Sequence, residues 1–252
     1  MITDPNFYLV AVPAVLIYGI AKGGFGGGVV VVAVPLMSLV VSPLTAAAIL
    51  LPILCVMDLL ALWVFRGRWR WPELKLLVPA SLVGIGIGTL LYEYMSADVI
   101  RLILGTISVS FTLHWAWQQV HRSPAQEALF GPGVGIVAGT SAGFTSFVAH
   151  AGAPPLSIYL LRRGMDRTTF VATAAVFFAV ANYVKLIPYA WLGQLDLSNL
   201  TTSLVLSPLA PIGIACGKWL HDRVSDRFFF GFAYVMLLVV GCKLIWDGLA
   251  GF

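Results

Sequence analysis

Runs of apolar residues about as long as a bilayer is thick recur along this 252-residue chain. They cover 46–65, interrupted only by Asp58; 102–120; 168–191, interrupted only by Lys185; 200–219; and 228–246. Each approaches the roughly 20 residues that a helix needs to cross about 30 Å of hydrocarbon. Charged residues make up only 10% of the chain and hydrophobic ones 60%, with a mean hydropathy of +0.94. A soluble domain carries about a quarter charged residues, so this chain cannot cover its own surface in water. It reads as an all-α polytopic membrane protein. The start, Met-Ile-Thr-Asp-Pro, lacks the basic region of a secretory signal, so the first apolar segment is read as retained.

Two halves of the chain echo one another. Val56-Met57-Asp58-Leu59-Leu60 aligns with Val180-Ala181-Asn182-Tyr183-Val184, 124 residues on. Pro79 to Gly84 with Gly88 aligns with Pro208 to Gly213 with Gly217, 129 residues on, and Ser96 and Trp117 fall on Ser225 and Trp246. The loops around the two copies reverse their charge. Arg66-Gly67-Arg68-Trp69-Arg70 faces a counterpart, 190–196, without a basic residue. Arg162-Arg163-Gly164-Met165-Asp166-Arg167 matches the uncharged 39–43, and the net basic 221–227 matches the acidic Tyr92-Glu93-Tyr94 with Asp98. Basic loops stay in the cytoplasm. A weak repeat with reversed charge is the mark of inverted-topology repeats in a secondary transporter. The expected organisation is a first repeat over 1–120, a cytoplasmic linker over 121–128 and a second repeat over 129–252. Both termini then lie outside, and the loops at Arg68, Arg122, Arg163 and Arg223 inside.

That topology requires 6–40 and 129–162 each to leave and return on one side, as a hairpin broken by glycines and followed by three spans. Short legs 7–21 and 29–39 flank Lys22-Gly23-Gly24-Phe25-Gly26-Gly27-Gly28, and two more flank an irregular centre over 139–153. Irregular backbone at that depth is tolerated where it lines a cavity or is buried in protein. The two centres are expected to meet near the midplane.

Ionisable groups inside hydrocarbon are functional candidates by default. Lys22, beside Gly24 and Gly26, is either a snorkelling lysine or the cation of an anion site that also uses free backbone N–H groups. The second centre offers Thr140, Ser141, Thr145, Ser146 and His150 between small residues; His150 is a ligand or a packed polar residue. Asn182 and Lys185 lie three apart on one helix face, an amide and an ammonium suited to an oxyanion, with snorkelling the alternative for Lys185. Asp58 pairs with Lys22, Lys185 or Arg66, or carries a proton. Asp58 and His150 are the candidates for proton coupling.

At these positions the chain resembles the TauE/SafE family of membrane anion permeases. The resemblance rests on Lys22 to Gly28 with Val34-Pro35-Leu36, on Gly139 to Phe144, on Ala149 to Pro155 with Tyr159-Leu160-Leu161, and on Ala172 to Phe178 running to Asn182-Tyr183-Val184-Lys185. Many members carry Gly-Gly-Pro where this chain has Gly152-Ala153-Pro154. The resemblance implies movement of a small anion such as sulfite, sulfoacetate or a related sulfonate or carboxylate across the cytoplasmic membrane, coupled to the proton-motive force.

The alternative is an anion channel without coupling, and a membrane-embedded enzyme is the third class. No HExxH or paired-carboxylate motif exists, and His114, His121, His150 and His221 are scattered, so no catalytic residues are assigned. Cys55, Cys216 and Cys242 stand alone within apolar runs, which argues against a metal or redox centre. No cofactor is expected. The net charge of +4 comes mostly from loop arginines and speaks of topology rather than nucleic acid. The expected partners are a small anion and the bilayer, with homo-oligomerisation left open.

Overall fold

Proline and small polar caps start most of the helices. In the computed structural model, which describes residues 1–24, 32–120, 131–221, 223 and 226–251, Ser42 accepts from the Thr45 amide at 3.1 Å and Pro43 opens α3 (Pro43–Val64). Asp166 accepts from the Thr168 and Thr169 amides to open α8 (Arg167–Trp191), and Asp196 from the Asn199 amide to open α9 (Leu197–Leu206). Such side-chain oxygens satisfy the orphan donors of a first turn. The other helices are α1 (Pro5–Gly24), α2 (Ala33–Met37), α4 (Trp71–Leu91), α5 (Ala97–Val120), α6 (Pro132–Ala149), α7 (Ala153–Leu161), α10 (Leu209–His221) and α11 (Asp226–Ala250). The 3-10 turn Tyr92–Tyr94 links α4 to α5.

Among the described residues, α1, α3, α4, α5, α6, α8 and the α9–α10 pair are long and apolar enough to cross a membrane. Large side chains such as Leu9, Trp63, Leu90, Ile187 and Trp191 project from the bundle. In water they would form apolar patches of the kind soluble monomers avoid; in a bilayer they face lipid. The chain is a multi-pass membrane protein.

Three sequence expectations change. The first leg of each hairpin is longer than expected: α1 has 20 residues and α6 has 18, enough to rise roughly 27–30 Å. The second leg is the short one, at nine residues in α7. The irregular centre expected over 139–153 is helical as far as Ala149, and the break is confined to His150, Ala151 and Gly152. The glycines of α6 serve close packing instead. A Cβ on Gly143 would run into the Ser81 carbonyl of α4, and one on Gly84 into the Thr140 carbonyl, so only glycine lets these two backbones touch. Finally, the 200–219 run is divided at Ser207 and Pro208, because proline cannot donate to the preceding turn. The centre of the first hairpin (25–31) and the linker with Arg122 lie outside the described residues.

Close backbone approach recurs between α1 and α10, where a Cβ on Gly19 would sit 2.9 Å from the Gly213 Cα. Contacts advance together in both pairs, from Leu77–Gly139 to Gly88–Phe147 and from Leu16–Gly213 to Ile20–Gly217, so each pair is parallel. α5 and α11 run antiparallel, with Gly105 against Gly241 and Asp98 against Gly248. α3 is buried along most of its length and crosses α8 at the centre.

The two ends of the bundle differ. At one, which we call the arginine end, Arg70 Nη1 donates to the Arg163 carbonyl at 3.0 Å, joining the α3–α4 and α7–α8 loops. The buried Glu73 carboxylate accepts there from Arg163 Nε at 2.9 Å and from the Tyr159 hydroxyl at 3.0 Å. At the other end the Ile2 amide donates to Thr202 at 3.0 Å, and Gly251 lies against the Asp98 carboxylate. Ile2 and Gly251 therefore sit opposite the arginine end.

Candidate functional site

Two polar groups from helices that cross at the centre meet inside the bundle. Asp58 on α3 is fully buried; Lys22, near the end of α1, forms an ion pair with one of its oxygens. Asn182 on α8 donates its amide to the other at 2.6 Å. A buried carboxylate persists only when its lone pairs are answered, and here both oxygens are. Of the partners open to Asp58 in the sequence, Lys22 is the one it takes.

Lys185 lies one helical turn beyond Asn182 and is fully buried, so its ammonium does not snorkel. Its three N–H donors are spent on the Ser146 carbonyl at 2.8 Å, the Ser146 hydroxyl at 3.0 Å and His150 Nδ1 at 2.8 Å. The other ring nitrogen, Nε2, lies 2.9 Å from the Ala47 carbonyl. Because Nδ1 accepts and Nε2 donates, this geometry describes a neutral imidazole with its proton on Nε2.

The break that presents these groups has an identifiable origin. α6 closes with the Ala151 amide on the Thr145 carbonyl at 3.1 Å and the His150 amide on the Ser146 carbonyl at 3.0 Å. His150 occupies the left-handed position of this turn, with φ 51°, where glycine is usual. A non-glycine residue there costs about 1–2 kcal/mol, offset by the two ring hydrogen bonds. Gly152 then packs on the Ala142 carbonyl side, and Ala153, Pro154 and Pro155 start α7.

Of the residues singled out in the sequence, Lys22, Asp58 and Asn182 come together in one group, and Ser146, His150 and Lys185 in the adjoining one. Thr140 and Ser141 stay in mid-helix, partly exposed; the Ser141 carbonyl accepts from the Thr145 hydroxyl at 2.8 Å, and no hydrogen bond joins either residue to a lysine among the described residues. Gly24 ends α1, and Gly26 lies outside the described residues. Two further groups went unnoticed in the sequence. Tyr189 stacks on His150 with ring centroids 6.4 Å apart and donates to the Phe147 carbonyl at 2.6 Å; its place four residues after Lys185 was the available signal. The Glu73–Arg163–Tyr159 cluster closes the arginine end, and a glutamate in a helix's first turn gives no hint of that.

A bundle of membrane-spanning helices that encloses buried lysine, aspartate and histidine side chains at a helix break has the organisation of a membrane transporter. Residues 11–244 match the family model described as sulfite exporter TauE/SafE, and the chain belongs to that family of membrane transport proteins, not to an enzyme family. It is 25% identical over 226 residues, 88% of this chain and 86% of the other, to a protein of Cupriavidus necator named probable sulfite/organosulfonate exporter TauE. No solved structure matches the chain.

Proposed function

We propose that the protein is a secondary transporter that carries a small oxyanion, of the sulfite or organosulfonate class, across the cytoplasmic membrane with a proton. The observation that carries this reading is the charge around Lys185. Lys22 and Asp58 neutralise one another, while Lys185 has only uncharged hydrogen-bond partners among the described residues. A buried cation without a counterion is unfavourable, and a dehydrated anion at that point supplies one. The names of the family and of the Cupriavidus relative support a sulfur oxyanion.

Proton coupling follows from the imidazole. Protonated on both nitrogens, His150 loses the lone pair that receives Lys185, leaving two cations side by side. An anion between them removes the repulsion, so anion and proton favour one another's binding. The titratable groups facing His150 are Lys185 and Tyr189 of α8, with Lys22 of α1 further off.

The arginine end is cytoplasmic on this reading, and both termini face outward. The chain is two inverted repeats, 1–120 and 129–252, which accounts for matched packing: exchanging the halves turns the α4–α6 pair into the α10–α1 pair and maps α3–α8 and α5–α11 onto themselves. Purified protein in liposomes tests the function with radiolabelled sulfite, with and without a pH gradient. Sulfite flux should rise with the gradient, and Lys185→Met should weaken sulfite binding by about 1.5–3 kcal/mol, roughly 10- to 150-fold. Flux that follows voltage and ignores pH would indicate a channel, and unchanged affinity in Lys185→Met would remove Lys185 from the site.

A further inference from the structure

One turn from Lys185, on the side away from the arginine end, lies a small cavity of about 10 Å³, room for at most a single water. Its walls include Gly88, Tyr92, Met95, Ile100, Phe147 and Tyr189. The Tyr92 hydroxyl is buried in this region, and it is the one buried side-chain polar atom among the described residues with no hydrogen-bond partner. Leaving such a donor unpaired is unfavourable by about 1–3 kcal/mol. Phenylalanine would fill the same space without that penalty, so the hydroxyl calls for a function.

The cavity and the cationic centre share a wall. Phe147 follows Ser146, which holds Lys185, and its carbonyl takes the Tyr189 hydroxyl at 2.6 Å. Its ring is packed edge-to-face against both tyrosines, with centroids 5.3 Å from Tyr189 and 6.4 Å from Tyr92. A Cβ at Gly88 would strike that ring, so α4 leaves just enough space for Phe147. Tyr189 also stacks on His150. The Phe147 and Tyr189 rings thus lie between His150 and Tyr92, which belongs to the turn between α4 and α5.

We propose that Tyr92 and Tyr189 form a second, transient oxyanion subsite on the route between the Lys185 centre and the end opposite the arginine loops, with Phe147 as the closed door between the two. When Phe147 swings aside, Tyr189 releases the Phe147 carbonyl, and two phenolic O–H donors face the passing anion. Hydrogen bonds from hydroxyls to an ionised oxygen are short and strong, and they offset part of the dehydration that the anion keeps as it leaves Lys185. This rests on the reading of Lys185 as the anion site.

The test is Tyr92→Phe in the full-length protein, measured for thermal stability, for sulfite binding in detergent and for sulfite flux in liposomes. The expected result is an unchanged or higher melting temperature, sulfite affinity within two-fold of the parent, and flux lowered about five- to ten-fold. Tyr189→Phe, which removes the bond to the Phe147 carbonyl, should raise sulfite leak in the absence of a pH gradient. Parental flux in Tyr92→Phe overturns the subsite. So does a loss of affinity that matches the loss of flux, because Tyr92 would then belong to the Lys185 centre. Lys185→Met separates the two levels: sulfite binding that survives it overturns the underlying reading, and the subsite falls with it.

Discussion

Asp58 and Asn182, aligned in the sequence at an offset of 124 residues, touch one another at 2.6 Å where α3 crosses α8. Each helix brings one member, so the contact is a carboxylate accepting from its own amide counterpart. The pair has different chemistry on its two sides, and only the Asp58 side is charged and paired with Lys22.

Asp58 is therefore a structural anchor as well as a candidate for coupling. Asp58→Asn leaves the largely shielded Lys22 without its counterion, and removing one partner of a buried pair costs about 3–5 kcal/mol. Thermal unfolding in detergent should show a large loss for Asp58→Asn and a smaller one for the double variant with Lys22→Met. Additive losses in that cycle would mean the pair is not coupled.

The glycine contacts tolerate no side chain. Gly143→Leu would drive a side chain into the Ser81 backbone, and Gly213→Leu would meet α1 at Gly19. Overpacking of this kind costs about 1–3 kcal/mol or more. Gly133→Leu, at a position with open space around it, is the control and should leave the melting temperature unchanged.

Orientation is accessible to labelling. Single cysteines at Arg68 and Gln194, in a background lacking Cys55, Cys216 and Cys242, should react with an impermeant maleimide from opposite faces of the membrane. Reaction from the same face would remove the inverted-repeat reading.

The cap of α8 has a pH dependence of definite sign. The Thr169 hydroxyl and amide, with the Thr168 amide, hold the exposed Asp166 carboxyl below its ordinary value. A carboxyl depressed in the folded state stabilises above its unfolded pKa and loses that contribution as pH falls through the folded value. Hydrogen exchange at Thr168 and Thr169 should therefore quicken, relative to mid-helix α8 amides, only below about pH 4. In Asp166→Ala it should be fast throughout and lack that acid step.

The ionisable groups of the central site are legible in the sequence because such a residue inside an apolar run has few innocent explanations. Lys22, Asp58 and Lys185 stand out on that ground, Asn182 by its place three residues before Lys185 and opposite Asp58 in the repeat, and the apolar runs announce the spans. Their partners do not, because side-chain spacing along one helix says nothing of which helix lies opposite. The length of the break is not legible for a related reason: glycine serves a break and a close helix contact equally, and Gly139 and Gly143 serve the contact. Tyr92 and Tyr189 were hidden by their position, since tyrosines near span ends usually mark the membrane interface.

The contact between Gly19 and Gly213 has a consequence for biosynthesis. The surface of α1 that closes on α10 is made about 190 residues before its partner. At 5–20 residues per second, that face waits about 10–40 s in the membrane before α10 emerges. Insertion of the first half cannot also be its folding. A message truncated after the linker should therefore yield a product that inserts and is then degraded.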